Sequence, residues 1–245
     1  MLTHAPALVI FDKDGTLIDF QQMWGRWAKQ FAVRVSDAIK HDVRAQIATV
    51  YGFDETTSYI DPRGPLAIAS MARMQQMAVD VIRPYCASIA DAYHIVQAAW
   101  QPPDPTRDVI PLADLALLFA EIQARGAVIA IATADNRAPT LATMQALGVG
   151  SFIAAVACAD DLGVAAKPAP DKIYAICRAL SIAPHHAIMI GDTPADMQMG
   201  QNAGVMAQIG VISGLSTHAD LQPYATWIMP TIADLLNYWP HSTPG

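Results

Sequence analysis

The strongest constraint on this chain is a rhythm. Short apolar runs recur at 7–11, 127–132, 152–158, 187–190 and 205–211, with a weaker one at 227–229. Helical patterns lie between the later runs. Leu115, Leu118, Phe119 and Ile122 repeat at i, i+3, i+4, i+7 with Gly126 as a stop signal, and Ile173, Ile176, Cys177 and Leu180 repeat the same spacing. Continuous apolar runs fit strands buried on both faces, and their alternation with helices fits a parallel sheet covered on both sides. The expected fold class is α/β: a Rossmann-like parallel sheet with helices on both faces.

The stretch 20–101 breaks the rhythm. It holds no comparable strand run. Trp24, Trp27, Ala28, Phe31 and Val35 fall on one helical face, as do Val43, Ile47, Val50 and Tyr51, and later Ile89, Ala92, Tyr93, Val96 and Trp100. Pro65 and Pro84 mark helix starts or breaks. The spacing predicts a small all-helical domain, 20–101, inserted into a sheet domain made of 1–19 and 102–245. The proline-rich segment 101–111 reads as a stiff connector back to the sheet.

Composition bounds the partners. Hydrophobic residues make up 53% of the chain and charged residues 15%, so a well-buried core is expected and disorder is not. The formal net charge is −7 and no basic stretch stands out, which argues against nucleic acid. Residues 138–159 carry no charge and are long enough to suggest a membrane helix. Gln145 and the glycines of Leu147-Gly148-Val149-Gly150 interrupt them, and a helix, a turn and a strand explain the segment better. No basic segment with an apolar run and cleavage site precedes the first strand, so no signal peptide is expected. Cys86, Cys158 and Cys177 are odd in number and widely spaced, without a CxxC pair, and read as core thiols of a cytoplasmic protein.

In a parallel sheet the ligand site lies outside the carboxyl ends of the strands. The residues at those exits therefore carry the functional signal. They are Asp12 and Asp14 after the first run, Thr133 after the second and Asp192 after the fourth, with Lys167 beyond the third. Two unit charges about 4 Å apart interact by roughly 4 kcal/mol at an effective dielectric of 20. Three converging carboxylates would repel one another, and a phosphate dianion more strongly still. An all-oxygen cluster suits Mg2+, which shares phosphate oxygens, and Lys167 and the Thr133 hydroxyl suit the oxygens that remain.

The motifs Asp12-x-Asp14-Gly15-Thr16, Thr133, Lys167-Pro168 and Gly191-Asp192-Thr193-x-x-Asp196, in this order at strand ends, resemble those of the haloacid dehalogenase (HAD) superfamily. The helical insertion resembles that family's cap, and the segments 210–214 and 231–236 are similar to those of phosphoglycolate-phosphatase-like members. The resemblance implies a Mg2+-dependent phosphomonoester hydrolase working on a small phosphorylated metabolite through an aspartyl-phosphate. Asp12 would be the nucleophile and Asp14 the general acid, then base. The Asp12 carboxylate, the Asp14 backbone carbonyl and Asp192 would hold the metal. Thr133 and Lys167 would bind the phosphoryl group, assisted by backbone N–H groups around Lys13, Asp14 and Ala134. Asp196 would order Lys167 or a metal-bound water from the first turn of a helix opened by Pro194. Many relatives carry Asn where this chain has Ala134; Asp135 and Asn136 follow it.

Several residues outside these motifs are candidates with two readings. Arg63 could meet a substrate carboxylate or second anion, or be a solvated loop arginine. Trp24, Arg26 and Trp27 could touch substrate, although packing is the simpler role for the tryptophans. Met71, Met74 and Met77 read as packing residues, and His185 and His186 as structural. Residue 13 alternates away from its neighbours if strand geometry persists, so only the backbone N–H of Lys13 is expected to serve the site. Other functions compatible with the motifs are a phosphomutase of the same fold, a phospho-accepting signalling module and a noncatalytic binding protein. A dehalogenase would not need Asp14, and a phosphonatase would need a cap lysine, for which only Lys29 and Lys40 are available. The chain is expected to act as a monomer or homodimer.

Overall fold

Six strands pair in parallel in a computed structural model that describes residues 4–69 and 71–239. They are β1 (Leu8–Phe11), β2 (Val128–Ala132), β3 (Ile153–Ala157), β4 (Ala187–Gly191), β5 (Ala207–Val211) and β6 (Trp227–Met229). Their order across the sheet is β3-β2-β1-β4-β5-β6. From β1 the chain winds outward through β2 to β3, then returns to place β4 on the other side of β1. The reversal in strand order lies between β1 and β4, with Leu8 in register with both Val128 and Ala187. Such a reversal opens a crevice at the carboxyl ends of the strands.

β1 is the central strand of this switch and all four of its residues are buried. Alternate side chains leave it on opposite faces. Leu8 and Ile10 enter a core with Ala130, Met189, Ile173, Ile176, Cys177 and Met199, contributed partly by the helices Asp171–Leu180 and Pro194–Ala203. On the other face the Phe11 ring meets Phe119 of the helix Leu115–Ala124, with centroids 5.5 Å apart. The predicted helical stripe Leu115, Leu118, Phe119, Ile122 is buried throughout. The uncharged segment 138–159 resolves into the helix Arg137–Ala146, a glycine turn and β3. Among the described residues no helix is long and apolar enough to cross a membrane. The three cysteines are free, with Cys158 and Cys177 buried.

The chain divides into two compact units, Met1–Asp19 with Pro105–Gly245, and Phe20–Asp104. The second division thus falls within the proline-rich connector, beyond the expected position after residue 101. The second unit consists of the helices Phe20–Ile39, Arg44–Tyr51, Pro65–Ile68, Met71–Ile82 and Ile89–Ala99. Its core is aromatic. Trp27 stacks on Phe31 and Phe31 on Tyr51, with centroids 5.4 and 5.8 Å apart, and Trp100 stands edge-on to Trp27 and Phe31. Trp27 is buried and Trp24 packs against this core, as their packing role requires, while Arg26 is exposed. Met74 is buried and Met77 packs on the core, but Met71 is exposed. The last helix keeps Ala92, Val96 and Trp100 of the expected face in the core and departs from the rest of it. It buries Ala92, Val96 and Ala99 and leaves Ile89 and Tyr93 exposed, because the i, i+4, i+7 line of small residues fits the packed side better than the bulkier one.

Candidate active site

Asp12 leaves β1 with its backbone N–H still donating to the Ile190 carbonyl of β4 at 2.8 Å. That bond holds the first residue past the strand at the switch point, beside the exit of β4. Asp192 follows β4 directly. Three carboxylates gather there: oxygens of Asp12, Asp192 and Asp196 lie within 4.8 Å of one another, and all three residues are buried. Lys167 joins them. Its Nζ donates to Asp12 Oδ1 at 2.5 Å and to Asp196 Oδ1 at 2.6 Å.

Glycine makes the approach of these acids possible. Gly15 adopts φ +81°, and a Cβ there would lie 2.3 Å from Asp192 Oδ2. At Gly191 a Cβ would stand 2.4 Å from the Asp196 Cβ. Any side chain at either position would push a carboxylate out of the cluster. The remaining contacts fix orientation. Asp192 accepts from the Leu215 N–H at 2.9 Å and from the Thr16 hydroxyl at 3.4 Å. Asp196 Oδ2 accepts from the Thr193 hydroxyl at 2.6 Å and its N–H at 3.1 Å, closing a capping box on the helix Pro194–Ala203. Asp196 therefore caps its helix with one oxygen and holds Lys167 with the other.

Lys167 arrives on a loop tied down at its start. Arg137 donates to both oxygens of Asp161 at 2.7 Å and to the Val156 carbonyl at 2.9 Å. Asp161 in turn accepts from the Cys158 N–H, and the buried Lys172 donates to the Cys158 carbonyl at 2.5 Å. Nothing in the sequence pattern flagged this clamp, because an arginine at a helix start and an acid in a loop are individually ordinary.

The electrostatics follow from burial. Desolvation pushes the Asp12 carboxyl up to about 7; Asp196 and Asp14 add to the rise, and Lys167 opposes it. Burial likewise raises Asp192 well above the ordinary carboxylate range, with Asp12 and Asp196 as repelling neighbours. Burial works against the charge of Lys167, but Asp12 and Asp196 outweigh it and its pKa is raised. Three buried carboxylates face one ammonium, which leaves two negative charges in excess when all are ionised. An oxygen-only donor set with that imbalance fits a hard divalent cation.

Thr133, at the exit of β2, is buried and its Oγ1 accepts from the Asp135 N–H at 3.0 Å. Ala134 beside it is exposed. Arg63 belongs to the helical unit, where it is exposed and its backbone N–H donates to Asp61 Oδ1. His185 and His186 lie ahead of β4 with ring centroids 4.2 Å apart and planes tilted by 50°.

Lys13 has a task that alternation alone did not reveal. Its side chain is 4% exposed, and its Nζ lies 2.9 Å from both Asp14 oxygens and 3.1 Å from Asp135 Oδ2. β1 ends at Phe11, so strand alternation does not by itself fix the partners of Lys13. Burial disfavours its charge, but Asp14 and Asp135 together raise its pKa.

A family model for haloacid dehalogenase-like hydrolases matches residues 6–204, most of the chain. The chain belongs to this haloacid dehalogenase-like hydrolase family. Among curated relatives of this HAD enzyme, the N-acetylmuramic acid 6-phosphate phosphatase of Pseudomonas aeruginosa is 24% identical over 80% of this chain and 77% of its own. The phosphoglycolate phosphatase of Mesorhizobium japonicum is 25% identical over 81% and 79%. A crystal structure of a predicted phosphoglycolate phosphatase from Haemophilus somnus superposes with a TM-score of 0.67 at 17% identity, covering 96% of this chain and 98% of that one. The HAD-like, phosphoglycolate-phosphatase-like resemblance and the α/β Rossmann-like fold read from the sequence are thus both borne out.

Proposed function

We propose that this HAD hydrolase is a Mg2+-dependent phosphatase of a small phosphorylated metabolite, working through an aspartyl-phosphate on Asp12. The observation that carries the reading is the buried group Asp12, Lys167, Asp192 and Asp196 at the switch point of the sheet. The names of the curated relatives, both phosphatases, support the same reaction.

Asp12 and Asp192, with the Asp14 backbone carbonyl, would hold the cation. When bound, the cation offsets the charge of the carboxylates and the phosphoryl oxygens, so that an anionic nucleophile can approach phosphorus. The chain's own groups do the rest. A carboxylate oxygen of Asp12 forms a bond to phosphorus while the bond from phosphorus to the leaving oxygen breaks. That oxygen keeps the electron pair and takes a proton from Asp14. A water then attacks the aspartyl-phosphate and gives its proton to Asp14, and the Asp12 carboxylate is regenerated with release of phosphate. Lys167, held between Asp12 and Asp196, offers its ammonium to the phosphoryl oxygens, and the Thr133 hydroxyl serves as a second donor.

The test is turnover of p-nitrophenyl phosphate with Mg2+, followed by phosphoglycolate, N-acetylmuramic acid 6-phosphate and other small phosphomonoesters. Phosphate release that Asp12→Asn abolishes is the expected result. Equal activity in the variant would remove Asp12 from the mechanism. Isomerisation of a sugar phosphate in place of release would identify a mutase, and stoichiometric phosphorylation without turnover a signalling module.

A further inference from the structure

A second ionic group stands beside the first, on the next two residues of the chain. The Lys13 ammonium straddles the Asp14 carboxylate, equidistant at 2.9 Å from its two oxygens. Its other partner, Asp135, is held in the turn after β2. The Asp135 N–H donates to Thr133 Oγ1 at 3.0 Å, its carbonyl accepts from the Ala159 N–H at 2.8 Å, and Asp135 Oδ1 accepts from the Asn136 N–H at 2.7 Å. Asp135 is therefore a fixed post, and Lys13 spans from it to Asp14.

The burial pattern says which member is rigid. The Lys13 side chain is 4% exposed, whereas those of Asp14 and Asp135 are 26% and 36% exposed. A buried ammonium has little water to replace a lost partner, so Lys13 is confined to the place where both carboxylates reach it. An aspartate carboxylate on its own turns freely about its terminal torsion, which is broad and roughly two-fold. Proton transfer to a leaving oxygen requires a carboxyl group within hydrogen-bond reach and correctly aimed. A lysine that holds both oxygens of Asp14 and is itself anchored on Asp135, in the turn after β2, supplies that aim.

We propose that Lys13 is a positioning residue, anchored by Asp135, that holds the Asp14 carboxyl group in place for proton exchange with the leaving-group oxygen. The proposal rests on the phosphatase reading above, in which Asp14 is the acid and then the base. In the first step the phosphorus–oxygen bond of the substrate breaks, and the leaving oxygen takes the Asp14 proton; Lys13 exchanges none. Its contribution is geometric, so it should matter in proportion to how much the leaving group needs a proton.

That dependence is the test. Values of kcat/KM, which report the chemistry up to formation of the aspartyl-phosphate, are measured for an alkyl phosphate and for 2,4-dinitrophenyl phosphate, whose leaving group departs without protonation. Asp14→Asn sets the scale, since general acid catalysis contributes about 10²–10⁴-fold. For Lys13→Met, kcat/KM for the alkyl phosphate should fall by about ten- to a hundredfold, while that for the dinitrophenyl ester falls far less. Asp135→Asn, which leaves the lysine but removes the charge of its anchor, should show the same selectivity with a smaller loss. Lys13→Arg should recover part of the alkyl phosphate activity. An equal loss on both esters would mean that Lys13 only supports the fold, and no loss on either would mean that Asp14 needs no guide. Either result overturns the proposal. Should Lys13→Met not fold, Asp135→Asn and Lys13→Arg decide by the same ratio. A wild-type protein that hydrolyses neither ester would fail the phosphatase reading itself and take the proposal with it, a result distinct from the other two.

Discussion

Among the described residues, the helical unit packs Trp27, Phe31, Tyr51, Ile47, Val79 and their neighbours and buries no acidic or basic side chain. The sheet unit instead buries Asp12, Lys13, Lys172, Asp192 and Asp196 among its aliphatic residues. Taking ionised groups out of water costs several kcal/mol each unless they are paired, and like charges at close range add to that cost. A core gains nothing in stability from three carboxylates that face one another. Their presence at the exits of β1 and β4 marks a place where stability has been given up for chemistry, and the aromatic interior of the other unit marks a place where it has not.

The largest effect should come from the centre of that contrast. Asp12→Asn keeps the shape of the side chain and removes its nucleophilic carboxylate. Loss of a nucleophile costs on the order of 10⁴-fold or more in kcat. Turnover of p-nitrophenyl phosphate measures it, and a melting curve close to wild type should accompany the loss, because neutralising one of the three clustered acids relieves repulsion. An inactive variant that is also much less stable would contradict the division of labour between the two units.

The opposite signature is expected from Phe31→Ala. This ring stacks on Trp27 and Tyr51 and meets the edge of Trp100. Truncating it leaves a cavity that the stacked neighbours fill poorly, at a cost of about 3–5 kcal/mol. Three of the five tryptophans, Trp24, Trp27 and Trp100, lie in this unit and Trp227 and Trp239 in the other, so denaturant unfolding followed by tryptophan fluorescence is dominated by the change. A shift under about 1 kcal/mol would show that the aromatic stack is incidental to the stability of the unit.

Lys167→Met tests the link between the two properties inside the sheet unit. It removes the cation shared by Asp12 and Asp196 and, on the proposed mechanism, a donor to the phosphoryl group. Loss of one such preorganised donor typically lowers kcat by about 10²–10³-fold. Steady-state kinetics with saturating Mg2+ checks it. Unchanged kcat would place the phosphate-binding charge elsewhere.

The two units also differ in how much the sequence discloses. Strand runs and strand-end acids are legible because the period of the apolar pattern and the position of charge relative to it are local properties. Asp12 and Asp192 stand directly after strands and Asp196 in the first turn of a helix, places the pattern points to, whereas Lys167 lies on the loop between β3 and the helix Asp171–Leu180 and is marked only by its Lys-Pro motif. The partner of Lys13 could not be found that way. Its direction depends on where β1 stops, and strand ends are set by pairing with β2 and β4 rather than by residues 11–14 alone. The Arg137–Asp161 clamp was hidden for a similar reason, since it joins a helix start and a loop 24 positions apart whose approach only the folded sheet defines. In the helical unit the pattern indicated amphipathic helices and placed Ala92, Val96 and Trp100 of the last one correctly in the core, but it added Ile89 and Tyr93, which are exposed, and missed Ala99, which is buried.

The smallest effect expected is on stability, and its sign separates the two kinds of interior most finely. The Asp12 carboxyl stands near 7 in the folded protein, against an ordinary value of 3.8, mainly because it is buried. Between about pH 4 and pH 7 the folded state therefore holds a proton that the unfolded chain has released. Stability declines wherever pH rises and the folded state binds the extra proton. The metal-free protein should thus lose stability steadily as pH rises through that window and level off above it. Asp192, raised for the same reason, acts in the same direction. Mg2+ should oppose the decline, because a cation that binds only the folded state stabilises it by mass action and does so best when the carboxylates are ionised. Asp192→Asn should raise the melting temperature of the chelated protein near pH 7, flatten its pH dependence and abolish the response to Mg2+. The aromatic core of the helical unit has no titrating group in this range to produce such a slope. Melting curves from pH 5 to pH 8, with chelator and with Mg2+, give the comparison. Stability that climbs with pH in the chelated protein would mean that the acids at the strand exits are already balanced without a cation, and that their burial does not explain their place in the fold.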